Sequence, residues 1–141
     1  MNVYLIGYRC TGKTAVGKVL ADLPDVRIQL SKLQRQIAQG RDIVTEGRDQ
    51  GTEVFPDATC KIFLTASPEE RARRRQQQLA DAGRFMSIED IRKAQDMRDA
   101  QDCDRPLGGL SPANDSVLIT SDAMTPDQVI DQIVLVVESH R

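Results

Sequence analysis

The sequence predicts a single α/β domain built on a parallel sheet, and three observations carry that prediction. An apolar run, Val3-Tyr4-Leu5-Ile6, leads into Gly7-Tyr8-Arg9-Cys10-Thr11-Gly12-Lys13-Thr14 and then into a helix-like run from Ala15 to Ala21. Short apolar runs recur at Ile43-Val44, Lys61-Ile62-Phe63-Leu64 and Ser116-Val117-Leu118-Ile119, with helical periodicity between them. The 141 residues suffice for one domain with a real core and require no second.

The remaining composition narrows the setting. Hydrophobic residues make up 40% and charged residues 28%, ordinary for a soluble globular protein, and no apolar run approaches membrane-spanning length. The chain enters a strand at once, so neither a signal nor a transit peptide is expected. Cys10, Cys60 and Cys103 are odd in number and lack metal-ligand spacing, which points to a reducing compartment and makes the cytoplasm the default. A net charge of −2 supplies no basic field for nucleic acid or a membrane. No apolar stripe is left over for a second subunit, so a monomer is expected.

The spacing G-x-x-x-x-G-K-T has a mechanical reading. Glycines let the backbone curl so that its N–H groups face a polyphosphate, and the following helix start adds its positive dipole end. Gly7, Tyr8, Arg9, Cys10, Thr11, Gly12, Lys13, Thr14 and Ala15 would then line the ATP phosphates. Lys13 would bridge the β- and γ-phosphates, and the Thr14 hydroxyl would face Mg²⁺. A glycine-containing turn of any α/β protein is the alternative, and the strand before and helix after the motif argue against it. Cys10 reads as a small filler in this loop, and the single histidine, His140, carries no assigned chemistry.

Further along, a first helix is expected from about Lys13 to Leu23, stopped by Pro24, and a second from Val26 to about Ala38, capped by Asp25 and containing Gln34-Arg35. Gly40-Arg41-Asp42 is a turn, and Ile43-Val44-Thr45-Glu46 is expected to be a buried parallel strand. The loop after it carries Arg48 and Asp49, and such loops at strand carboxyl ends face the ligand crevice of open sheets. Ser67-Pro68 opens a helix bearing Arg71, Arg73, Arg74 and Arg75, with 71, 74 and 75 on one face and 73 toward solvent. Ser87 caps the next helix, with Ile88, Ile91 and Ala94 toward the core; beyond them Arg98, Asp102 and Arg105 present cation, anion and cation on one face. Thr125-Pro126 opens a last helix to about Glu138, whose valines and isoleucines are expected to pack.

Taken together, Gly47 to Ala58, Lys61 to Ser67, Glu70 to Arg75 and Arg98 to Leu107 resemble the bacterial cytidylate kinase family, through its GRD-x-GT-x-VFPDA, KIFL-x-AS, ERA-x-RR and Arg-Asp-Arg series. The resemblance implies a P-loop kinase fold, three-layered α/β/α with a parallel sheet of four to five strands and a helical lid over about residues 71–95. It implies Mg²⁺- and ATP-dependent phosphoryl transfer to CMP or dCMP. Arg71, Arg74 and Arg75 would stabilise the transferring charge with Lys13, while Arg35, Arg48, Asp49, Arg98, Asp102 and Arg105 would hold the acceptor. Asp49 and Arg105 would read the base edge, and Asp102 would meet a ribose hydroxyl or orient the arginines. The front end, Gly7-Tyr8 and Thr14 to Gly17, is more similar to a shikimate kinase, which keeps a small-molecule hydroxyl acceptor as an alternative. A domain that binds nucleotide without turnover is another.

One departure from the family stands out. A strand and a monophosphate-binding insert, with a DSG-x-x-YR motif, normally lie between the first helix and the Gln-Arg helix, and residues 15–34 contain neither. A first helix of about 11 residues descends roughly 16 Å from the phosphate loop, and the few residues near Pro24 cannot return that distance. Either the second helix is displaced, taking Arg35 from the pocket, or a segment is missing at this junction; preserved spacing on both sides favours the latter.

Overall fold

The computed structural model describes residues 17, 19, 20, 23–105 and 108–140. The expected strand Val3 to Ile6, the phosphate loop Gly7 to Thr14 with Ala15, and Pro106-Leu107 lie outside the described residues. Met1–Val44 and Thr45–Arg141 form two compact units, each considered by itself.

In the first unit Gly17, Val19 and Leu20 are helical, within the helix expected there. Helix α1 spans Pro24–Ala38. Proline suits the first helical position because that N–H has no intrahelical partner to lose. Leu23, not Asp25, is the N-cap; Asp25 stands in the first turn, where its charge complements the positive helix end. Leu23 N donates to the Leu20 carbonyl at 3.2 Å and Arg27 N to the Leu23 carbonyl at 3.0 Å. The backbone over 23–26 thus runs directly into α1, while residues 21 and 22, the rest of the junction, lie outside the described set. No residue of α1 is buried. Gly40, at φ 70°, makes the expected turn after it.

The strand expected at Ile43 to Glu46 does not form: these residues are in no ladder, Ile43 is exposed and Val44 fully so. Three β-branched residues, Ile43, Val44 and Thr45, supply propensity, but a strand exists only where a neighbour takes up its N–H and C=O groups. Instead, the loop after it coils into a π-helical turn, Gln50–Val54, which buries Val54. Glu53 N and Val54 N both reach the Asp49 carbonyl, at 2.9 and 3.0 Å.

The second unit then runs β1 (Ile62–Thr65), α2 (Pro68–Asp81), α3 (Ile88–Cys103), β2 (Val117–Thr120) and α4 (Pro126–Ser139). β1 and β2 pair in parallel, from Ile62 opposite Val117 to Thr65 opposite Thr120. Among the described residues the sheet therefore has two strands, against the four to five expected. Lys61 pins the amino ends of both: its Nζ binds the Asp115 carboxylate at 2.6 and 2.9 Å and the Pro56 carbonyl, and its own carbonyl accepts from Val117 N. The hydrogen bond from Lys61 holds the Asp115 carboxyl below its ordinary range.

Helices α2 and α3 begin as expected, with Ser67 Oγ accepting from Glu70 N and Ser87 Oγ from Asp90 N. They meet through Ala72, Leu79 and Ile91. Ile88 and Ala94 are exposed, contrary to expectation; the inward face of α3 is Ile91, Gln95, Asp99 and Asp102. That stripe, at spacings of four, four and three, follows the helical period: Ile91 packs against α2, and Asp99 and Asp102 toward its end meet arginines. A capping box between Thr125 and Gln128 starts α4. None of its residues is buried, so its packing falls short of expectation.

Candidate active site

The most concentrated chemistry in the second unit gathers on Asp102, in the last turn of α3. Its side chain is buried, with 5% of the residue exposed, and three arginines surround it. Arg48 Nε donates to Oδ2 at 2.6 Å. Arg105 Nη2 stands 3.6 Å from Oδ1, and Arg98 Nε 3.9 Å from Oδ2. Arg98 reaches it from one turn back on the same helix face, whereas Arg105, expected on that face as well, lies just past the helix end at Cys103 and approaches from the chain leaving it. Arg48 comes from the loop before the π-helical turn, 54 residues away in sequence.

Three guanidiniums around one carboxylate leave a net positive site. Asp102 offsets enough charge to let the arginines crowd together, and its burial fixes where they stand. Arg98 is 71% exposed, Arg48 38% and Arg105 37%, so each keeps donors in reach of solvent. Arg48 spends its Nε on Asp102, which leaves both terminal nitrogens for a ligand. Such a cluster suits a phosphate or another anion whose oxygens accept several charge-assisted bonds.

The loop from Gly108 to Leu110 closes the end of α3, with Leu110 N donating to the Asp102 carbonyl at 2.8 Å. Gly109 lies so close that an added Cβ would stand 2.9 Å from the Cys103 carbonyl and 3.1 Å from that of Arg105. The backbone beneath the cluster is therefore held from both sides.

The arginines of α2 take three different positions. Arg71 Nη1 lies 2.6 Å from Asp99 Oδ2 on α3. Arg74 is bound at 2.8 Å to Glu70 and, through both terminal nitrogens, to Ser121 Oγ and the Ser121 carbonyl. Ser121 in turn binds the Thr65 carbonyl through N and Oγ, so Arg74 ties α2 to the carboxyl ends of both strands. Arg75 is exposed, 3.4 Å from Gln78 Oε1. Arg73 is also exposed and forms a two-pronged contact with Glu70, whose carboxyl is held at about 2 by hydrogen bonds from Arg73 and then Arg74, against partial desolvation.

Of the residues singled out from sequence, Arg48, Arg98, Asp102 and Arg105 come together. Asp49 supplies the carbonyl that anchors the π-helical turn. Arg35 belongs to the first unit, and Gly7 to Ala15, with Lys13 and Thr14, lie outside the described residues. Sequence reasoning missed Asp99, Glu70 and Ser121. The Glu70-Arg73-Arg74 spacing is itself a helix-pairing signal, whereas nothing local to Ser121 announces Arg74. Among the described residues no cluster of His, Cys, Asp or Glu could hold a metal ion, and the expected Mg²⁺ ligand Thr14 is not among them. Nor is any described helix long and apolar enough to cross a membrane.

The family model for cytidylate kinase matches residues 11–139. The chain belongs to the cytidylate kinase family. A cytidylate kinase of Rhodopirellula baltica is 59% identical over 120 residues, covering 85% of this chain and 52% of that protein. One from Desulfitobacterium hafniense is 44% identical over 115 residues, 82% of this chain and 50% of that one. A bifunctional pantoate ligase/cytidylate kinase of Synechococcus sp. is 45% identical over 116 residues, 21% of its own length. The chain spans about half the length of the cytidylate kinases it matches. Membership implies the P-loop kinase fold, with which the helices and small parallel sheet agree.

Proposed function

We propose that the chain carries out phosphoryl transfer from ATP to CMP or dCMP, giving CDP or dCDP. The observation that carries this reading is the buried Asp102 carboxylate with Arg48, Arg98 and Arg105 around it. A monophosphate needs cations that are fixed before it arrives and still have donors to offer, and this cluster meets both needs. Its phosphate oxygen is already anionic near neutral pH, so no general base is required of the protein. What remains is to align acceptor and donor and to place positive charge where it gathers on the moving phosphoryl group. Lys13 with the backbone of Gly7 to Ala15 would hold ATP, and Thr14 would hold Mg²⁺, which neutralises phosphate charge when bound. Arg71, Arg74 and Arg75 would face the transferring group, with residues 71–95 as the lid, Asp49 and Arg105 at the base and Arg35 on the acceptor. A single P-loop domain in the cytoplasm, acting as a monomer, is the simplest setting. The relatives are cytidylate kinases, which favours a nucleotide acceptor over a shikimate-type one.

The test is coupled ADP release with ATP and Mg²⁺ against CMP, dCMP, UMP, AMP and shikimate in parallel, with Lys13→Ala as blank. Release that depends on CMP or dCMP and vanishes in the variant is the expected result. Measurable ATP binding with no acceptor-dependent release would instead mark a nucleotide-binding domain without turnover.

A further inference from the structure

One helical turn before Asp102, α3 carries a second carboxylate that holds a distant arginine. Asp99 Oδ2 accepts from Arg71 Nη1 at 2.6 Å, with about a third of each side chain exposed. Asp99 and Asp102 stand three residues apart on one face of α3, and both are turned inward. Each takes its tightest partner from another part of the chain, Asp102 from the loop at Arg48 and Asp99 from α2. The next residue after Arg71, Ala72, is wholly buried in the α2–α3 contact, so the backbone under Arg71 is fixed while its guanidinium remains accessible. Among the α2 arginines this pairing is distinctive. Arg74 is committed to Glu70 and Ser121, Arg73 to Glu70, and Arg75 touches only a glutamine within its own helix.

We propose that Asp99 is a positioning residue for phosphoryl transfer: it holds Arg71 in register with the Asp102 cluster, so that one face of α3 sets both the acceptor cations and the cation for the moving phosphoryl group. This rests on the kinase reading above. Only one terminal nitrogen of Arg71 is used, and the other N–H donors remain for phosphoryl oxygens. Orienting the guanidinium beforehand lowers the reorganisation needed in the transition state, so the effect belongs in kcat.

The experiment is steady-state ADP release by the full chain as wild type, Asp99→Asn, Asp99→Glu, Arg71→Ala and the double variant Arg71→Ala/Asp99→Asn, with thermal unfolding of each. Asp99→Asn is expected to lower kcat about tenfold, to leave KM for CMP within twofold, and to be partly rescued in Asp99→Glu. In the Arg71→Ala background Asp99→Asn should cost nothing further, because its partner is already gone. An active wild type whose kcat is indifferent to Asp99→Asn would overturn the proposal alone. So would equal losses with and without Arg71, or a loss matched by a collapse of unfolding temperature in both Asp99 variants. A folded wild type with no acceptor-dependent release would overturn the kinase reading, and this role with it.

Discussion

Asp102 and Glu70 are both carboxylates that gather arginines, and they do so in opposite ways. Glu70 sits in the first turn of α2 and binds Arg73 and Arg74, three and four residues on, at 2.8 to 2.9 Å. Asp102 is buried; of its three partners, the tightest comes from 54 residues away, and the other two stand 3.6 and 3.9 Å off. The contacts of Glu70 are all local and uniformly short, whereas Asp102 combines one shorter contact of 2.6 Å from far along the chain with two longer ones from residues nearby in sequence. Surface pairs within one helical turn add little beyond helix stability, and they form whether or not a ligand is bound nearby. A buried carboxylate with loosely held cations spends desolvation to keep those cations in place with donors to spare. Burial of the shared anion and the sequence separation of its partners mark the candidate site better than the shortness of its contacts.

The largest expected difference comes from neutralising each hub. Asp102→Asn keeps shape but removes the charge that lets three arginines coexist, and the Arg48 bond becomes a weak one. Losing a charge-assisted bond and the alignment it supports corresponds to about 2–3 kcal/mol, or roughly 30- to 150-fold in kcat/KM for CMP-dependent ADP release. The equivalent Glu70→Gln change should cost under about threefold in the same assay. Comparable losses in the two variants would erase the distinction.

A smaller effect should follow from moving the backbone beneath Asp102 without touching any charge. The Cβ of Gly109→Ala would meet the Cys103 and Arg105 carbonyls at 2.9 and 3.1 Å, and backbone cannot yield as a flexible side chain does. Displacement of the α3 end should lower the unfolding free energy by about 1–3 kcal/mol and raise KM for CMP severalfold. An unchanged KM in a well-folded variant would show that the cluster tolerates movement of its support.

These two hubs also show what the sequence could disclose. Ser67-Pro68, Ser87 and Thr125-Pro126 state their helix starts in local chemistry, and the structure places α2, α3 and α4 within a residue or two of expectation. The pairing of Arg98 with Asp102 is likewise legible, because helical geometry alone brings them to one face, whereas Arg105 stands past the helix end and its approach depends on how the chain leaves α3. Ile43-Val44 was misread because a strand depends on a partner that the run itself does not contain. The burial of Asp102 by Arg48, the Arg71–Asp99 contact and the clamp of Arg74 on Ser121 all join segments at least 28 residues apart, and no local pattern encodes them. Family resemblance supplied the membership of Arg48 in the site; its Nε contact with Asp102 required the fold.

The smallest effect concerns the pH dependence of the Glu70 hub. Its carboxyl lies at about 2 in the folded protein against an ordinary 4.5, chiefly through the bond from Arg73. A depressed carboxyl contributes stability that is complete above its unfolded value and is lost as pH falls toward its folded value. Glu70→Gln should therefore unfold a few degrees below wild type at neutral pH at most, and the two melting curves should converge between about pH 4.5 and pH 2. Arg73→Ala should reproduce much of that convergence, because it removes the principal bond while leaving Arg74 on the carboxylate. A gap that persists unchanged at pH 2 would mean that Glu70 stabilises α2 through packing and not through its charge, and the contrast with Asp102 would then lie in burial alone.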